Sequence, residues 1–329
     1  MMKILIAHKS DIWKWLPMRD CIDLMRETLC MLAQDKGINP LRSIMWLPDK
    51  SGLLGLMPAF LENRQVMGLK SISIFPGNHG MEFDSHQGGI LLFEAKNGRL
   101  LALLEAGAIT AIRTAAVSGV ATQLLANKDA GRLVILGSGV QAKTHLQAML
   151  LSRKISTVRV WSRDFNHACR FAESESKQSD VKIEPKKSVK AAVSDADIIC
   201  TVTAATEPIL KGDWVAPGCH INAVGSSTPF ARELDTSAVV KSRLFVDRRE
   251  STSREAGDYL IPLSDGKIDA SHIQAEIGEV LLEQKKGRTS DREITLFKSL
   301  GLAVEDLAAA HFVYQRMVEN NAGTRVEFY

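Results

Sequence analysis

Arg132-Leu133-Val134-Ile135-Leu136-Gly137-Ser138-Gly139-Val140-Gln141-Ala142 decides how the middle of this chain folds. The apolar run from Leu133 to Leu136 reads as a short buried strand, and the residues after Gly139 read as the opening of a helix. In that context the glycines have a physical meaning. Gly137 makes the tight turn, Gly139 lets the backbone approach a pyrophosphate, and Ala142, in the third glycine position, permits close packing of helix on strand. The diphosphate then rests on free N–H groups at the positive end of the helix, with Ser138, Val140 and Gln141 in the same turn. The alternative is a tight strand–helix turn with no ligand.

Outward from this turn, residues 116–299 alternate strand and helix. Segments 133–136, 158–161, 197–202, 220–224 and 243–246 read as buried strands, the rhythm of an α/β fold with a Rossmann-type doubly wound sheet. The second of them ends Val160-Trp161-Ser162-Arg163-Asp164. An NAD site usually places an acid at this tip. Here serine and arginine come first, so Arg163 can pair with a 2′-phosphate while Ser162 donates a hydrogen bond. That favours NADP(H); Asp164 leaves NAD(H) open, and a solvated surface arginine is the plainer alternative. Thr203 and Ala204 follow a strand at its carboxyl end, where ligands bind in such sheets.

A chain of 329 residues is long enough for about two domains, and 45% hydrophobic with 24% charged residues is a globular composition. The 41 basic and 38 acidic residues leave a net charge of +3, too slight to argue for nucleic acid or a membrane surface. No uninterrupted apolar run reaches the roughly 18 residues of a membrane span, and Lys3, His8, Lys9 and Asp11 make the first residues unlike a signal peptide. Cys21, Cys30, Cys169, Cys200 and Cys219 are odd in number and lack metal-ligand spacing, which points to reduced thiols in a cytoplasmic protein without a metal. Residues up to about 115 have a different texture. Pro17 followed by Met18, Ile22, Met25, Leu29 and Leu32 marks a helix closing near Gly37, and β-rich stretches follow, with Asn97-Gly98 reading as a tight hairpin. This is a second, α+β domain built on an antiparallel or mixed sheet. Residues 300–329 add a helix over 303–318 and a β-like RVEFY tail.

GLMPAF (55–60), Lys70 in GLKSISIF (68–75), AIRTAAVSGVAT (111–122), LGSGVQA (136–142), TEPIL (206–210), HINAVGS (220–226), AEIGEV (275–280) and FKSLGLAVED (297–306) together resemble the ornithine cyclodeaminase and mu-crystallin family. The resemblance covers nearly the whole chain. It implies a substrate-binding and dimerisation domain from 1–115 with 300–329, a nicotinamide-binding domain over 116–299, and a homodimer. Substrates of such proteins are small α-amino or α-imino acids. Arg42, Lys70 and Arg113 stand at positions similar to the family's carboxylate-binding set. Arg113 also lies in a small, apolar stretch, where a buried arginine must find an anionic partner. His86, followed by Gln87, matches a pair in mu-crystallin-like proteins and is a substrate-pocket candidate. Val224 and Gly225, together with Ser299, Leu300 and Gly301 read as opening a helix, are assigned to the cofactor. Thr114, read as lying just before a helical stretch, is assigned to its phosphate.

The departure from the cyclodeaminases lies at Ser227, which stands where they carry an aspartate. Serine can neither act as a carboxylate base nor hold a distal ammonium by charge. The segment is similar instead to the mu-crystallin branch. The implied reaction is NAD(P)H-dependent reduction of cyclic ketimines, Δ1-pyrroline-2-carboxylate to proline and Δ1-piperideine-2-carboxylate to pipecolate, with Lys70 keeping the imine protonated. Cyclodeamination of ornithine or lysine, an alanine-dehydrogenase-like reaction, and a crystallin-like NADP-binding protein are the alternatives.

Overall fold

The structure, a computed structural model, describes residues 3–78 and 81–328. The chain divides into two compact units, Met1–Arg113 with Gly301–Tyr329, and Thr114–Leu300.

In chain order the first unit opens with β1 (Lys3–Ala7), α1 (Lys9–Trp15), α2 (Met18–Ala33), β2 (Gly37–Ile38), β3 (Ser43–Trp46), β4 (Leu53–Leu61), β5 (Val66–Ile74), β6 (His86–Glu94) and β7 (Leu100–Glu105). Then α3 (Ala106–Leu125) begins, and the division between units falls inside it. The second unit continues with β8 (Arg132–Leu136), α4 (Val140–Ser152), β9 (Thr157–Trp161), α5 (Phe165–Ser176), β10 (Ile183–Pro185), α6 (Val189–Val193), β11 (Ile198–Thr201), β12 (His220–Ala223), α7 (Thr236–Val240), β13 (Ser242–Val246), α8 (Arg249–Glu255), α9 (Gly257–Ser264), β14 (Ile273–Glu276), α10 (Ile277–Leu281) and β15 (Ile294–Lys298). The chain ends in the first unit with α11 (Ala303–Glu319) and β16 (Thr324–Glu327); Tyr329 of the RVEFY tail lies outside the described residues.

The first unit is a mixed sheet ordered β16-β1-β7-β6-β5-β4-β2, with β3 beside β4; β1 and β7 run parallel and the other pairs antiparallel. Alternation along the central strands sends Met57, Leu61, Val66, Ile72, Ile90 and Leu92 to a buried face. Helix α11 packs on β4, β5 and β6 and also on α2, whose Ile22, Met25, Leu29 and Leu32 are buried. Pro17 caps α2 at its N-terminus, where its missing N–H costs nothing.

The second unit is an eight-stranded parallel sheet ordered β10-β9-β8-β11-β12-β15-β13-β14. Its connectivity turns outward in both directions from β8 and β11, so the carboxyl end of β8, where Gly137 sits, is the switch point of a Rossmann-type fold. Leu136, Ile199, Ile221, Val246 and Leu296 form part of one core cluster.

Several local expectations change. Asn97 and Gly98 belong to a five-residue connection (95–99) between β6 and β7, in which Gly98 takes φ +74; this is longer than a tight two-residue turn. Strands β1, β14 and β15 carry no strong sequence signal. Helix α3 starts eight residues before Thr114, so Thr114 lies in mid-helix and not ahead of it. By length and apolarity α3 is the one candidate membrane span among the described residues, and 83% of its apolar window is buried inside the protein.

Candidate functional site

In the second unit the cradle at the end of β8 is open. Gly137 takes φ +127, and a Cβ there would lie 2.8 Å from the Val202 carbonyl oxygen, so the turn demands glycine. Gly139 is the N-cap of α4 with φ −87; no side chain caps the helix, and a Cβ at Gly139 would meet nothing within 4 Å. Free N–H groups at a helix start with empty space above them suit a diphosphate. Ala142 is fully buried at the close helix–strand contact, and the Gln141 side-chain oxygen is buried without a hydrogen-bond partner among the described residues. Ser138, Gly139 and Val140 line a shallow groove of about 470 Å³ with Lys143, His167 and Arg170.

At the end of β9, Ser138 Oγ donates to Ser162 Oγ at 3.0 Å, which ties the cradle to the strand tip. Arg163 is exposed and has no ion-pair partner among the described residues. Asp164 is already employed: its side chain accepts the Asn166 N–H at 2.9 Å and caps α5. Thr203 and Ala204 follow β11, Val224 and Gly225 follow β12, and Ser299 and Leu300 follow β15. Ser299, Leu300 and Gly301 do not open a helix; they form the connection ahead of α11, which begins at Ala303. Ser227 is half-buried in the loop after β12, while the neighbouring Ser226 hydroxyl donates to the Ala231 carbonyl.

In the first unit a cluster of charges is buried. Lys70, on the inward face of β5, and Arg113, in α3, are each 4% exposed. Between them stands Asp306 in the first turn of α11. Its carboxylate accepts from Lys70 Nζ at 3.1 and 3.2 Å and from Arg113 Nε at 2.9 Å. Arg113 Nη1 donates to Glu305 Oε2 at 3.0 Å. Gly301, at φ +79, lies against the Arg113 guanidinium, and any Cβ there would collide with it. Arg42 Nη2 donates to the Gly301 carbonyl at 3.0 Å. Burial lowers the Lys70 pKa to about 8; Asp306 opposes the shift, whereas Arg113 and Arg42 add to it. His86 is the first residue of β6; its Nδ1 lies 3.0 Å from Ser85 Oγ, and burial of the imidazole, with the Lys70 charge adding, lowers its pKa.

The structure therefore brings Arg42, Lys70, Arg113 and Gly301 together around Asp306. In the sequence, Glu305 and Asp306 are visible only as the end of FKSLGLAVED. The signal was available in the burial argument for Arg113: two adjacent acids opening an otherwise apolar helix, Ala303-Val304-Glu305-Asp306-Leu307-Ala308, are a natural anionic partner.

An open dinucleotide cradle at the switch point of a parallel sheet, carried in a chain that also buries a cationic cluster, defines a nicotinamide-dependent oxidoreductase. The sequence pattern of the Ornithine cyclodeaminase/mu-crystallin family matches residues 2–321, and the chain belongs to that family. The mouse protein named ketimine reductase mu-crystallin is 43% identical over 281 residues, 85% of this chain and 86% of its own length. The structure of Thermococcus litoralis Δ1-pyrroline-2-carboxylate reductase in complex with NADH and L-proline aligns with a TM-score of 0.96 at 40% identity, covering 98% of this chain and 100% of the other. An archaeal alanine dehydrogenase dimer with bound NAD aligns at a TM-score of 0.94 and 29% identity, covering both chains completely.

The cradle makes its own prediction. Gly137→Ala should destabilise the fold by about 1–3 kcal/mol through strain at positive φ and collision with Val202. Gly139→Ala should leave thermal unfolding within about 0.5 kcal/mol of wild type yet weaken nicotinamide cofactor binding at least about tenfold. Melting curves and cofactor titrations on both variants check this; unchanged cofactor affinity in Gly139→Ala would remove the cradle from binding.

Proposed function

We propose that this protein reduces cyclic ketimines of α-keto acids, Δ1-pyrroline-2-carboxylate to proline and Δ1-piperideine-2-carboxylate to pipecolate, with the first unit binding substrate and the second binding cofactor. The observation that carries the reading is the gathering of three cations: Lys70 and Arg113 are buried on Asp306, and Arg42, half-buried against the Gly301 carbonyl, is near enough to act on Lys70. A substrate carboxylate needs such a concentration of positive charge, and a guanidinium offers it a planar, two-pronged donor. A bound dihydronicotinamide supplies hydride to the C=N carbon. Lys70, with a pKa of about 8, is protonated at neutral pH and holds the proton at the imine nitrogen, which keeps the carbon electrophilic. His86 and Ser227 line the rest of the substrate pocket in this reading.

The test is loss of dihydronicotinamide absorbance with each imine, with proline or pipecolate as product. The reactive form carries Lys70 as the ammonium, so activity should fall as pH rises through about 8. Lys70→Met should lose this limb together with about 10²–10⁴-fold of rate. Asp306→Asn removes the charge that opposes the lowering, and the limb should move to lower pH. Inactivity on both imines, with ammonia released from ornithine and NAD⁺, would replace the reading with cyclodeamination.

The cofactor in this reading is NADP(H). Asp164 caps α5 and Arg163 has no ion-pair partner among the described residues, so the strand tip offers a cation to a 2′-phosphate and its acid is already engaged. Arg163→Gln should raise KM for NADPH about 10–100-fold and leave KM for NADH nearly unchanged, as loss of a charge-assisted contact requires. Equal effects on both cofactors would refute the assignment.

The outward face of the first unit's sheet supports a homodimer. Register places Phe60, Met67 and Phe93 in one row and Pro58, Leu69, Leu91 and Leu103 in the next. Phe60, Met67 and Phe93 of the first row and Pro58 and Leu69 of the next line a shallow apolar depression of about 420 Å³. A continuous apolar surface across four strands calls for a cover, and a second copy offers the same face. Leu91→Asp should convert the protein to a monomer in light scattering; a wild-type monomer at micromolar concentration would overturn the assignment.

A further inference from the structure

The second unit holds a buried cluster of charges that the proposed reaction does not use. Glu233, in the segment leading to α7, is 0% exposed, yet its carboxylate is saturated. One oxygen accepts from Thr203 N at 2.7 Å and Thr203 Oγ1 at 2.6 Å. The other accepts from Thr201 Oγ1 and Gly225 N, both at 2.7 Å. One side chain therefore ties the turn after β11 to the turn after β12. Gly225 lacks a side chain for a matching reason: a Cβ there would collide with Thr203 and with Glu233 itself.

Glu233 is in turn held from behind. Asp258, at the start of α9, accepts the backbone N–H groups of Glu233 and Leu234 at 2.9 and 3.0 Å. Its second oxygen accepts from Lys298 Nζ at 2.8 Å, and the same ammonium donates to the Ser226 carbonyl. Lys298 is the last residue of β15, so a third strand end joins the lattice. The turns so fixed carry Thr203, Ala204, Val224 and Gly225, at the carboxyl ends of parallel strands where a ligand sits in such a sheet. Glu233 has no spare lone pair and no exposed surface with which to meet that ligand. It acts only through the backbone it holds.

We propose that Glu233 is a positioning residue for the nicotinamide half of the cofactor, setting the spacing of the Thr203 and Gly225 turns; this rests on the assignment of those turns to the cofactor. The cradle at Gly137–Gly139 has no hydrogen bond to Glu233 among the described residues and meets the turn after β11 only where Gly137 packs on Val202; in this reading it holds the adenosine diphosphate half. Glu233→Gln turns one acceptor oxygen into an NH₂ group. That group must face either Thr203 N–H or Gly225 N–H, and a backbone donor cannot reverse as a hydroxyl can. One turn must shift.

The experiment compares two ligands on the same variants by calorimetry, without any imine: the whole NADPH, and 2′-phospho-ADP-ribose, which lacks nicotinamide. Glu233→Gln should weaken NADPH about tenfold or more and leave the fragment within about twofold. Thr201→Val removes one of the four bonds from a fully buried position and should show the same selectivity at smaller size. It carries the test alone if Glu233→Gln does not fold. Equal weakening of both ligands marks a general structural role and overturns the proposal, as does unchanged NADPH affinity. Because no turnover is measured, a wrong imine substrate leaves this result intact.

Discussion

The first unit depends on one constraint: two cations are buried, and each would be untenable alone. Removing an ammonium or guanidinium from water costs several kcal/mol even after relaxation. Asp306 meets that cost for Lys70 and Arg113 together, accepting from both, and Glu305 completes the pairing of Arg113. The sequence separations of these bonds are 236 and 193 residues. Closing α11 onto β5 and α3 is thus a condition for burying the cations at all. The polar cluster also limits how α11 may sit, since sliding it by one residue would put an apolar side chain where an acid is required. Gly301 follows from the same geometry, for the guanidinium fills the space a side chain would need.

The second unit solves a related problem with the signs exchanged. Here buried carboxylates hold the backbone: Glu233 the turns after β11 and β12, Asp258 the Glu233 backbone, and Asp247 the Leu300 N–H at 2.6 Å. Burial raises the Glu233 pKa, while its bonds from Thr203 and the nearby Lys298 oppose the shift. Parallel strands end in loops whose N–H groups have no ladder partner, and a saturated carboxylate supplies acceptors without taking up ligand space. The glycine turn at 137–139 is held differently, by the steric fit of Gly137 against Val202. An open cradle needs backbone free of side chains, whereas a fixed loop needs something to hold it.

What was legible in the sequence follows from this distinction. The cradle is local: its strand, glycines and helix occur within eleven consecutive residues, and the structure forms them as read. Helix α2 was equally clear, because one face is buried and its apolar positions recur at helical spacing. Helix α3 was not. Nearly every side of it is buried, so its apolar residues show no stripe and nothing in the sequence marks a start ahead of Thr114. Strands β1 and β16 stabilise each other from opposite ends of the chain, and neither five-residue nor four-residue segment declares its partner. Lys70 and Arg42 stood out only through family resemblance. Asp306 and Glu233 act through contacts far apart in sequence, which no periodicity encodes.

The cations gathered in the first cluster also bear on which amino-acid chemistry suits this chain. A diamino acid such as ornithine brings a distal ammonium as well as a carboxylate, and an ammonium within a few ångströms of Arg42, Lys70 and Arg113 is repelled unless a further acid faces it. In this cluster Glu305 and Asp306 pair with Arg113 and Lys70, and Ser227 adds no negative charge. A cyclic ketimine carries one carboxylate, a ring carbon skeleton without a second amine, and an imine nitrogen whose proton a lysine near neutrality can maintain. If the cluster receives the substrate as proposed, its concentration of positive charge and the uncharged Ser227 suit the ring imine better than a diamino acid.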